Sequence, residues 1–218
     1  MALKLYFHPF SSYCQKVLTA LYENDTPFTP HVVDLMDQDQ AATFKAMWPV
    51  AKFPVLVDED AGLTIPESTI IIEYLAQRYP GSTALLPADP DRAREARFRD
   101  RFFDLHVHEH VQKIVFDRLR PPGSNDPFGV ALAKDKLKLA YAMLDELLAT
   151  RTWAAGDDFT IADCAASPSL FYANMLVPFE DEHKTLAAYF ARLNARPSFA
   201  RVLREAQPFL DLFPKEQP

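Results

Sequence analysis

A short motif that begins at Ser11 and ends at Cys14 lies where an apolar run gives way to a helical pattern. Residues 3–7 are predicted to form a strand and residues 12–24 an amphipathic helix. The unpaired backbone N–H groups at a helix N-terminus favour an anion. We therefore expect that Ser11 can donate a hydrogen bond to a thiolate supplied by a bound substrate. The alternative is that Ser11 or Ser12 caps the helix, which is the common role of serine at such a place.

The two cysteines limit the thiol chemistry that the chain itself can perform. The CxxC motif of thioredoxin-like folds lies at the start of a first helix, and here Ser11 stands in place of its first cysteine. A hydroxyl cannot take part in disulfide exchange. Cys14, one helical turn further on, is an alternative to Ser11 as the group that stabilises a thiolate. Cys164 lies in an apolar run and is predicted to be a small buried hydrophobe.

Two further motifs could hold the ends of a small peptide-like ligand. Pro54 precedes a β-rich run, which indicates either an edge strand or a cis peptide bond. A cis bond would leave the backbone of Phe53 free to pair with an extended ligand as a strand does. Glu67 and Ser68 stand at a predicted helix start, where Glu67 could bind an ammonium group and Ser68 a carboxylate. The alternative for this pair is a serine N-cap preceded by an ordinary acidic residue.

The second half of the chain offers one candidate metal pair and one folding signal. His106 and His110 are four residues apart and share a helical face, a spacing that suits two metal ligands. Because no third ligand is apparent, we predict no metal site. Thr160 and Asp163 are three residues apart ahead of an apolar helix. We interpret this capping box as a folding determinant.

The elements that must position these motifs change character near residue 80. Up to that point, strand and helix signals follow the order β-α-β-(α)-β-β-α, which predicts a small α/β domain over residues 1–80. Prolines bracket a linker over residues 81–90. Only long helical patterns follow, so residues 91–218 are predicted to form an all-α domain.

Composition excludes several classes of function. The 218 residues include 23 basic and 30 acidic side chains, a net charge of −7, which disfavours a nucleic-acid partner held by phosphate contacts. None of the five glycines stands in a nucleotide-binding spacing. The apolar runs are too short for a transmembrane helix, so no membrane partner is expected. The first residues show no signal-peptide pattern, and we expect a cytoplasmic protein.

The motifs, in their order and spacing, resemble those of the glutathione S-transferase superfamily over the whole chain. The resemblance rests on residues 11–14, 52–56, 66–68, 159–163 and 196–199. It implies an α/β thioredoxin-like N-terminal domain with a cis Pro54, an all-α C-terminal domain and usually a homodimer. The likeness is greatest to the serine-type group of bacterial and theta- or zeta-like members. Tyr6 stands where tyrosine-type members place their catalytic residue, but Ser11 occupies the serine-type position.

The same resemblance implies roles for individual residues. Ser11 would be the catalytic residue, and glutathione the co-substrate. The residues that would bind glutathione are Lys52, Phe53, Pro54, Glu67 and Ser68. The residues that would border a second-substrate pocket are Phe102, His106, His110 and Tyr172.

The activity implied is attack of the glutathione thiolate on a small electrophile, as in detoxification. One alternative is a glutathione-dependent isomerase or dehalogenase of a small organic acid. Another is a non-catalytic interaction protein of the same fold, although the joint presence of the serine, cis-proline and Glu67 motifs favours catalysis. Five arginines between Arg92 and Arg101 form either a solvated helix face or a basic segment that meets the acidic first domain of a partner subunit.

Overall fold

The computed structural model describes residues 3–179 and 181–215. Contacts between residues divide the chain into two compact units. The first unit holds the residues up to Leu86 together with Pro197–Phe209, and the second holds Pro87–Arg196 and the residues from Leu210 onwards. Within the described ranges, no helix is both long enough and apolar enough to span a membrane.

The first unit is built on a mixed four-stranded sheet. Its elements are β1 (Leu3–Phe7), α1 (Ser12–Glu23), β2 (Thr29–Val32), α2 (Gln38–Met47), β3 (Val55–Asp58), β4 (Leu63–Pro66) and α3 (Ser68–Arg78). The strand order is β2-β1-β3-β4, with β1 parallel to β2 and the other two pairs antiparallel. The predicted order of elements is therefore confirmed: a helical crossover joins the parallel strands, and a hairpin joins β3 to β4.

Alternation along β1 gives the sheet two different faces. Leu5 is buried on one face, whereas Tyr6 lies on the other and packs with the buried Phe44 of α2. α1 is buried through most of its length and contacts α3. A helix buried in this way holds its N-terminal end, and with it Ser11, at a fixed place relative to the strands.

A helix from the end of the chain, α9 (Pro197–Ala206), belongs to the first unit. It packs along α1: Tyr22 Oη donates to Glu205 Oε2 at 2.6 Å, and Ser198 Oγ donates to Glu23 Oε2 at 2.7 Å. The all-α domain predicted over residues 91–218 differs from the observed division in this segment. Helical periodicity identifies α9 as a helix, but it does not show which element covers the apolar side.

The second unit is helical. Its elements are α4 (Pro90–Phe102), a π-helical segment (Phe103–His108), α5 (Glu109–Arg118), α6 (Pro127–Leu148), α7 (Ile161–Leu176) and α8 (Lys184–Ala195). The helical pattern over residues 91–119 predicts a single helix, but the structure interrupts it with a segment that has more residues per turn. Because the two sides of this segment are out of phase, one apolar stripe cannot stay buried throughout. The helical pattern of the sequence predicts Phe98 and Leu105 as core residues, but Leu105, within the segment, is 41% exposed, and Phe98, in α4 before it, is 52% exposed.

The capping box predicted at the start of α7 is confirmed. Thr160 Oγ1 accepts the Ala162 N–H at 3.3 Å, and Asp163 Oδ2 accepts the Thr160 N–H at 2.9 Å. Asp163 Oδ1 also accepts the Ala154 N–H at 2.9 Å and the Tyr189 hydroxyl at 2.6 Å. Burial raises the pKa of Asp163 to about 6, and these hydrogen bonds oppose the rise. One carboxylate therefore ties the start of α7 to a preceding loop and to α8.

Candidate functional site

Three of the predicted motifs meet at one end of the sheet in the first unit. The register pairs Tyr6 of β1 with Val55 of β3, and Val55 in turn with Pro66 of β4. The residues that follow β1, precede β3 and follow β4 are therefore neighbours across three adjacent strands. The motif residues in these segments are Ser11, Lys52, Phe53, Pro54, Glu67 and Ser68.

Ser11 is the N-cap of α1, but its side chain does not cap the helix. Its backbone is extended, with φ −77° and ψ 121°, and its carbonyl accepts the Gln15 N–H at 2.9 Å. Its hydroxyl makes no capping hydrogen bond, and the first turn of α1 carries no acidic residue. The positive end of the helix dipole is therefore open to an anion, with a half-buried hydroxyl beside it.

Cys14 lies one turn into α1 and is fully buried. Burial raises the pKa of its thiol to about 12, although hydrogen bonds with the Ser11 side chain and the His8 backbone oppose the shift. Cys14 is therefore protonated at neutral pH and cannot supply a charged group to a ligand. The Ser11 hydroxyl therefore lies within hydrogen-bond reach of the buried Cys14 sulfur, which is only a weak acceptor.

The turn that carries Ser11 is held by His8 and Gln15, neither of which is predicted from the sequence. The Ser11 N–H donates to the His8 carbonyl at 3.0 Å, and the Phe10 N–H donates to His8 Nδ1 at 3.2 Å. From α1, Gln15 Nε2 donates to the Pro9 carbonyl at 3.0 Å. The available signal in the sequence is an amide at Gln15, one helical turn after Ser11.

Phe53 and Pro54 lie just before β3, and the peptide bond between them is cis, as the family resemblance implies. The Phe53 ring packs against Phe44 of α2, with ring centroids 5.0 Å apart. This contact joins Phe53 to the apolar cluster between α2 and the sheet. The segment is thus held by an aromatic side chain, while Lys52 beside it is exposed.

Glu67 is the N-cap of α3 and has a backbone conformation that is rare outside glycine. Its φ is +68° and its ψ 117°, a combination that costs about 1–3 kcal/mol. Its side chain is exposed and makes no capping hydrogen bond, whereas Ser68 is buried at the first position of α3. From α1, Lys16 Nζ donates to Thr69 Oγ1 at 2.9 Å and ties the two helices together. The start of α3, and with it the backbone that carries the Glu67 carboxylate, is therefore tied to α1.

The residues predicted to border a second-substrate pocket all lie in the second unit. Phe102 is buried, its ring lies 5.1 Å from that of His106, and it lines a cavity of about 360 Å³ together with residues of α6. Tyr172 is 4% exposed and stacks on Phe213 at 5.9 Å. The structure thus brings Phe102 and His106 together, and Tyr172 packs as a core residue.

His106 and His110 lie on the same stretch of helix but differ in exposure. His106 is exposed, whereas His110 is half-buried, and burial is the main cause that lowers the pKa of His110. The nearby charge of His106 lowers this pKa further. In the part of the chain that the structure describes, no group of three or more metal-ligating side chains could hold an ion.

Known proteins match this chain along both units. Residues 5–83 match the family model of the glutathione S-transferase N-terminal domain, and residues 111–197 match that of the C-terminal domain. The glutathione S-transferase-like protein LUC7 of a Fusarium species is 34% identical over 167 residues, which cover 76% of this chain and 73% of LUC7. A probable maleylacetoacetate isomerase of Caenorhabditis elegans is 32% identical over 176 residues, 78% of each chain.

A solved structure matches at similar identity. The glutathione S-transferase of Methylobacterium radiotolerans, in complex with glutathione sulfonate, is 30% identical and superposes with a TM-score of 0.79. The match covers 100% of this chain and 97% of that one. The small mixed-sheet unit and the helical unit therefore have counterparts in a single known fold.

Proposed function

Because the chain belongs to the glutathione S-transferase superfamily, we propose that it is a glutathione transferase in which Ser11 stabilises the thiolate of bound glutathione for attack on a small electrophile. The observation that carries the proposal is the open N-cap of α1. The Ser11 hydroxyl makes no capping hydrogen bond, and no acidic residue in the first turn repels an anion. A thiolate is the acceptor that this donor and this helix end would favour.

The Ser11 hydroxyl and the N-terminus of α1 can together supply the stabilisation that the glutathione thiolate needs at neutral pH. A free thiol titrates near about 8.5 and is mostly protonated at neutral pH. One hydrogen bond to a charged group contributes about 1.5–3 kcal/mol, which lowers the pKa by about one to two units. The helix N-terminus contributes up to about 1 kcal/mol more. The thiolate then becomes the main species at neutral pH, with Ser11 acting as a donor and not as a base.

The remaining motif residues are proposed to hold glutathione along the end of the sheet. Neighbouring strands are about 4.8 Å apart, so β4 lies about 10 Å from β1, close to the length of an extended tripeptide. The backbone of Phe53, before the cis Pro54, pairs with the cysteinyl segment. Glu67 and Ser68 bind the ammonium and carboxylate groups of the γ-glutamyl end. Lys52 reaches the glycyl carboxylate.

The strained backbone of Glu67 supports its assignment. A positive φ in a residue with a Cβ is costly and is found mainly where the surrounding structure fixes the residue for a function. The carboxylate held there is exposed and free of a capping bond, so it can pair with an ammonium group. The same exposure means that folding alone gives no reason for a glutamate at this position.

The second substrate is proposed to meet the aromatic pair of Phe102 and His106. Of the four residues predicted for this pocket, His106 is exposed, and its ring lies beside that of Phe102. His110 is one turn further along and is half-buried. Tyr172, which stacks on Phe213, is proposed to shape the pocket wall and not to contact the electrophile directly.

A glutathione-dependent isomerase is the second candidate function. The observation that favours it is the 32% identity to a probable maleylacetoacetate isomerase over 78% of each chain. Both reactions use the same thiolate, but they differ in what happens to it. Conjugation consumes one glutathione per turnover, whereas isomerisation adds the thiolate to the substrate and then expels it. Measuring free thiol during turnover therefore distinguishes the two.

We propose that the active form is a homodimer that joins through α6. Phe128, Leu132, Leu139 and Met143 are 80%, 48%, 55% and 51% exposed, and their spacing places them on one side of this helix. The basic segment is a weaker candidate for the contact. Its arginines largely pair within the second unit, in the pairs Arg92–Asp158, Arg94–Asp91, Arg99–Glu95 and Arg101–Asp104.

Light scattering at low and high salt tests this assembly. An apolar contact predicts a dimer whose mass is insensitive to salt, whereas a contact between charged segments weakens as salt screens it. A monomer at both salt concentrations would contradict the homodimer. We place the dimer in the cytoplasm in a detoxifying role, because joining a charged tripeptide to an apolar electrophile increases its solubility in water.

Calorimetry followed by an activity screen tests the proposed function. We expect the full chain to bind glutathione, and chlorodinitrobenzene to be conjugated by the wild type. A panel of electrophiles and maleylacetoacetate-like acids then identifies the substrate class. Absence of glutathione binding would overturn the proposal. Binding without turnover of any panel member would indicate a non-catalytic member of the family.

A further inference from the structure

We propose that His8 is a positioning residue that sets the Ser11 hydroxyl through the backbone of Phe10. The inference rests on the proposed function, because it concerns the group assigned there to the glutathione thiolate. His8 lies directly after β1 and three residues before Ser11. Its side chain is half-buried. In this proposal it holds the backbone of Phe10 and does not contact the reacting atoms.

Two hydrogen bonds from the turn converge on this one residue. The Phe10 N–H donates to Nδ1 of the His8 ring at 3.2 Å, and the Ser11 N–H donates to the His8 carbonyl at 3.0 Å. The first bond depends on the side chain and the second does not. Substitution of the ring therefore removes one hydrogen bond from the residue immediately before Ser11 and keeps the bond to the His8 carbonyl.

The first bond requires an uncharged imidazole. Nδ1 can accept a hydrogen bond only while it keeps its lone pair, so this contact assigns the proton to Nε2. Protonation of Nδ1 would place its new N–H opposite the Phe10 N–H and so break the hydrogen bond between them. The position of Ser11 is therefore coupled to the charge of His8.

The surroundings of His8 favour the neutral ring. Burial is the main cause that lowers its pKa, and the charge of Asp34, after β2, opposes the shift. From the end of the chain, Phe209 presents its ring edge-on to His8, with centroids 5.1 Å apart. Asp34 is the charged group that acts on the imidazole, because the Phe209 ring does not titrate and the buried Cys14 thiol, which meets the His8 backbone, is protonated at neutral pH. Because the pKa is lowered, the acceptor is present at neutral pH and is lost on acidification.

Two substitutions separate positioning from packing. His8→Asn keeps an acceptor, since an asparagine Oδ1 can take the N–H two residues on, and it does not titrate. His8→Ala removes the acceptor. We expect His8→Ala to lower kcat by about fivefold to tenfold and to raise the pKa of the bound glutathione thiol, read from thiolate ultraviolet absorbance. His8→Asn is expected to stay within about twofold of the wild type.

The control is His31→Asn, the same change on the neighbouring strand β2. His31 stacks on Tyr6 and has no place in the proposed machinery. We expect it to leave the pKa of the bound thiol unchanged. A ring that contacts glutathione directly would instead give equal losses in His8→Asn and His8→Ala, mainly in glutathione affinity, and would overturn the positioning role.

A pH titration of the free wild-type protein by nuclear magnetic resonance tests, without glutathione, whether the backbone of the turn responds to the charge of His8. The Phe10 amide is expected to shift with the same midpoint as the His8 imidazole, and this shift is expected to vanish in His8→Asn. A Phe10 amide that ignores the titration of His8 would overturn the inference even if the protein conjugates glutathione. Coupled titration in a protein that binds no glutathione would instead contradict the proposed function.

Discussion

The N-cap residues of α1 and α7 both carry a hydroxyl group, but only one of the two hydroxyls caps its helix. At the start of α7 the Thr160 side chain accepts a backbone N–H, and Asp163 closes the box from the other side. At the start of α1 the Ser11 side chain makes no capping hydrogen bond. The same type of residue at the same position in a helix is thus part of the fold in one case and available to a ligand in the other.

The first unit repeats this contrast within itself. The N-cap residue of α2 is Asp37, whose carboxylate accepts the N–H groups of Asp39 and Gln40. The N-cap residues of α1 and α3 are Ser11 and Glu67, neither of which caps its helix through its side chain. The two uncapped helix starts adjoin the end of the sheet where the predicted motifs meet. Unused capping groups therefore distinguish the candidate site from an ordinary helix start.

The largest expected effect is on stability and comes from Asp163→Ala. The change removes a buried carboxylate and leaves the N–H groups of Ala154 and Thr160 and the hydroxyl of Tyr189 without their acceptor. We expect a loss of about 3–5 kcal/mol in the free energy of unfolding. Denaturant unfolding measures it, with the exposed Asp157→Ala as control. A loss below about 1 kcal/mol would contradict the structural role.

The second effect is a pH dependence of the same group. Burial raises the pKa of Asp163 to about 6 from an ordinary 3.8, so the folded state retains a proton that the unfolded chain loses. The stability contributed by Asp163 is therefore complete below about pH 4 and declines as the pH rises through 6, by about 1–3 kcal/mol. The difference between the wild type and Asp163→Asn isolates this term. If the stability of the wild type relative to Asp163→Asn instead increased as the pH rises, the raised pKa of Asp163 would be contradicted.

Ser11→Ala is expected to lower kcat for conjugation at least tenfold, equivalent to about 1.4 kcal/mol. Because the hydroxyl makes no capping hydrogen bond and its partner Cys14 is a weak acceptor, the free energy of unfolding should change by less than about 1 kcal/mol, the amount that a working cap contributes. Glutathione affinity is expected to stay nearly the same. Ser12→Ala is the matched control and should keep its activity. The reverse ranking of the two variants would assign the role to Ser12.

Glu67→Ala tests the second uncapped helix start. Removal of the carboxylate is expected to weaken glutathione binding by about tenfold, because it leaves the ammonium group of the ligand without its partner. Turnover at saturating glutathione should change less than affinity. Calorimetry measures the affinity, and an unchanged dissociation constant would contradict the assignment.

The smallest expected effect is the loss of stability in Thr160→Ala, which removes the capping hydroxyl of α7. Loss of a working N-cap costs about 1 kcal/mol, so this variant should be less stable than the wild type by that amount. Ser11→Ala, the corresponding change at α1, should not lower the free energy of unfolding by that amount. Equal losses of stability in the two variants, measured in the same denaturant series, would mean that Ser11 is an ordinary cap.

Local patterns predicted much of the fold and part of the site. The element order of the first unit and the capping box at Thr160 follow from short-range periodicity and spacing, and both are confirmed. The family resemblance implied the cis bond before Pro54, which is also observed. Such features depend on a few neighbouring residues, so the sequence displays them directly.

Features that depend on distant contacts or on the detailed conformation of the backbone were not predicted. The π-helical segment shifts the phase of the helix, and Leu105 within it is 41% exposed, so periodicity extended across the segment gives the wrong face there. The association of α9 with α1 depends on pairs such as Tyr22 and Glu205, which are far apart in the chain. The bond from the Phe10 N–H to the ring of His8 depends on the conformation of a turn, which residue types alone do not specify.

The most direct test of the central claim is the pKa of the glutathione thiol bound to the wild type and to Ser11→Ala. Thiolate absorbance at saturating glutathione measures it in both proteins across the pH range. We predict a bound pKa below that of free glutathione in the wild type, and a rise of about one to two units in Ser11→Ala with affinity preserved. The same bound pKa in the two proteins would contradict the role assigned to Ser11.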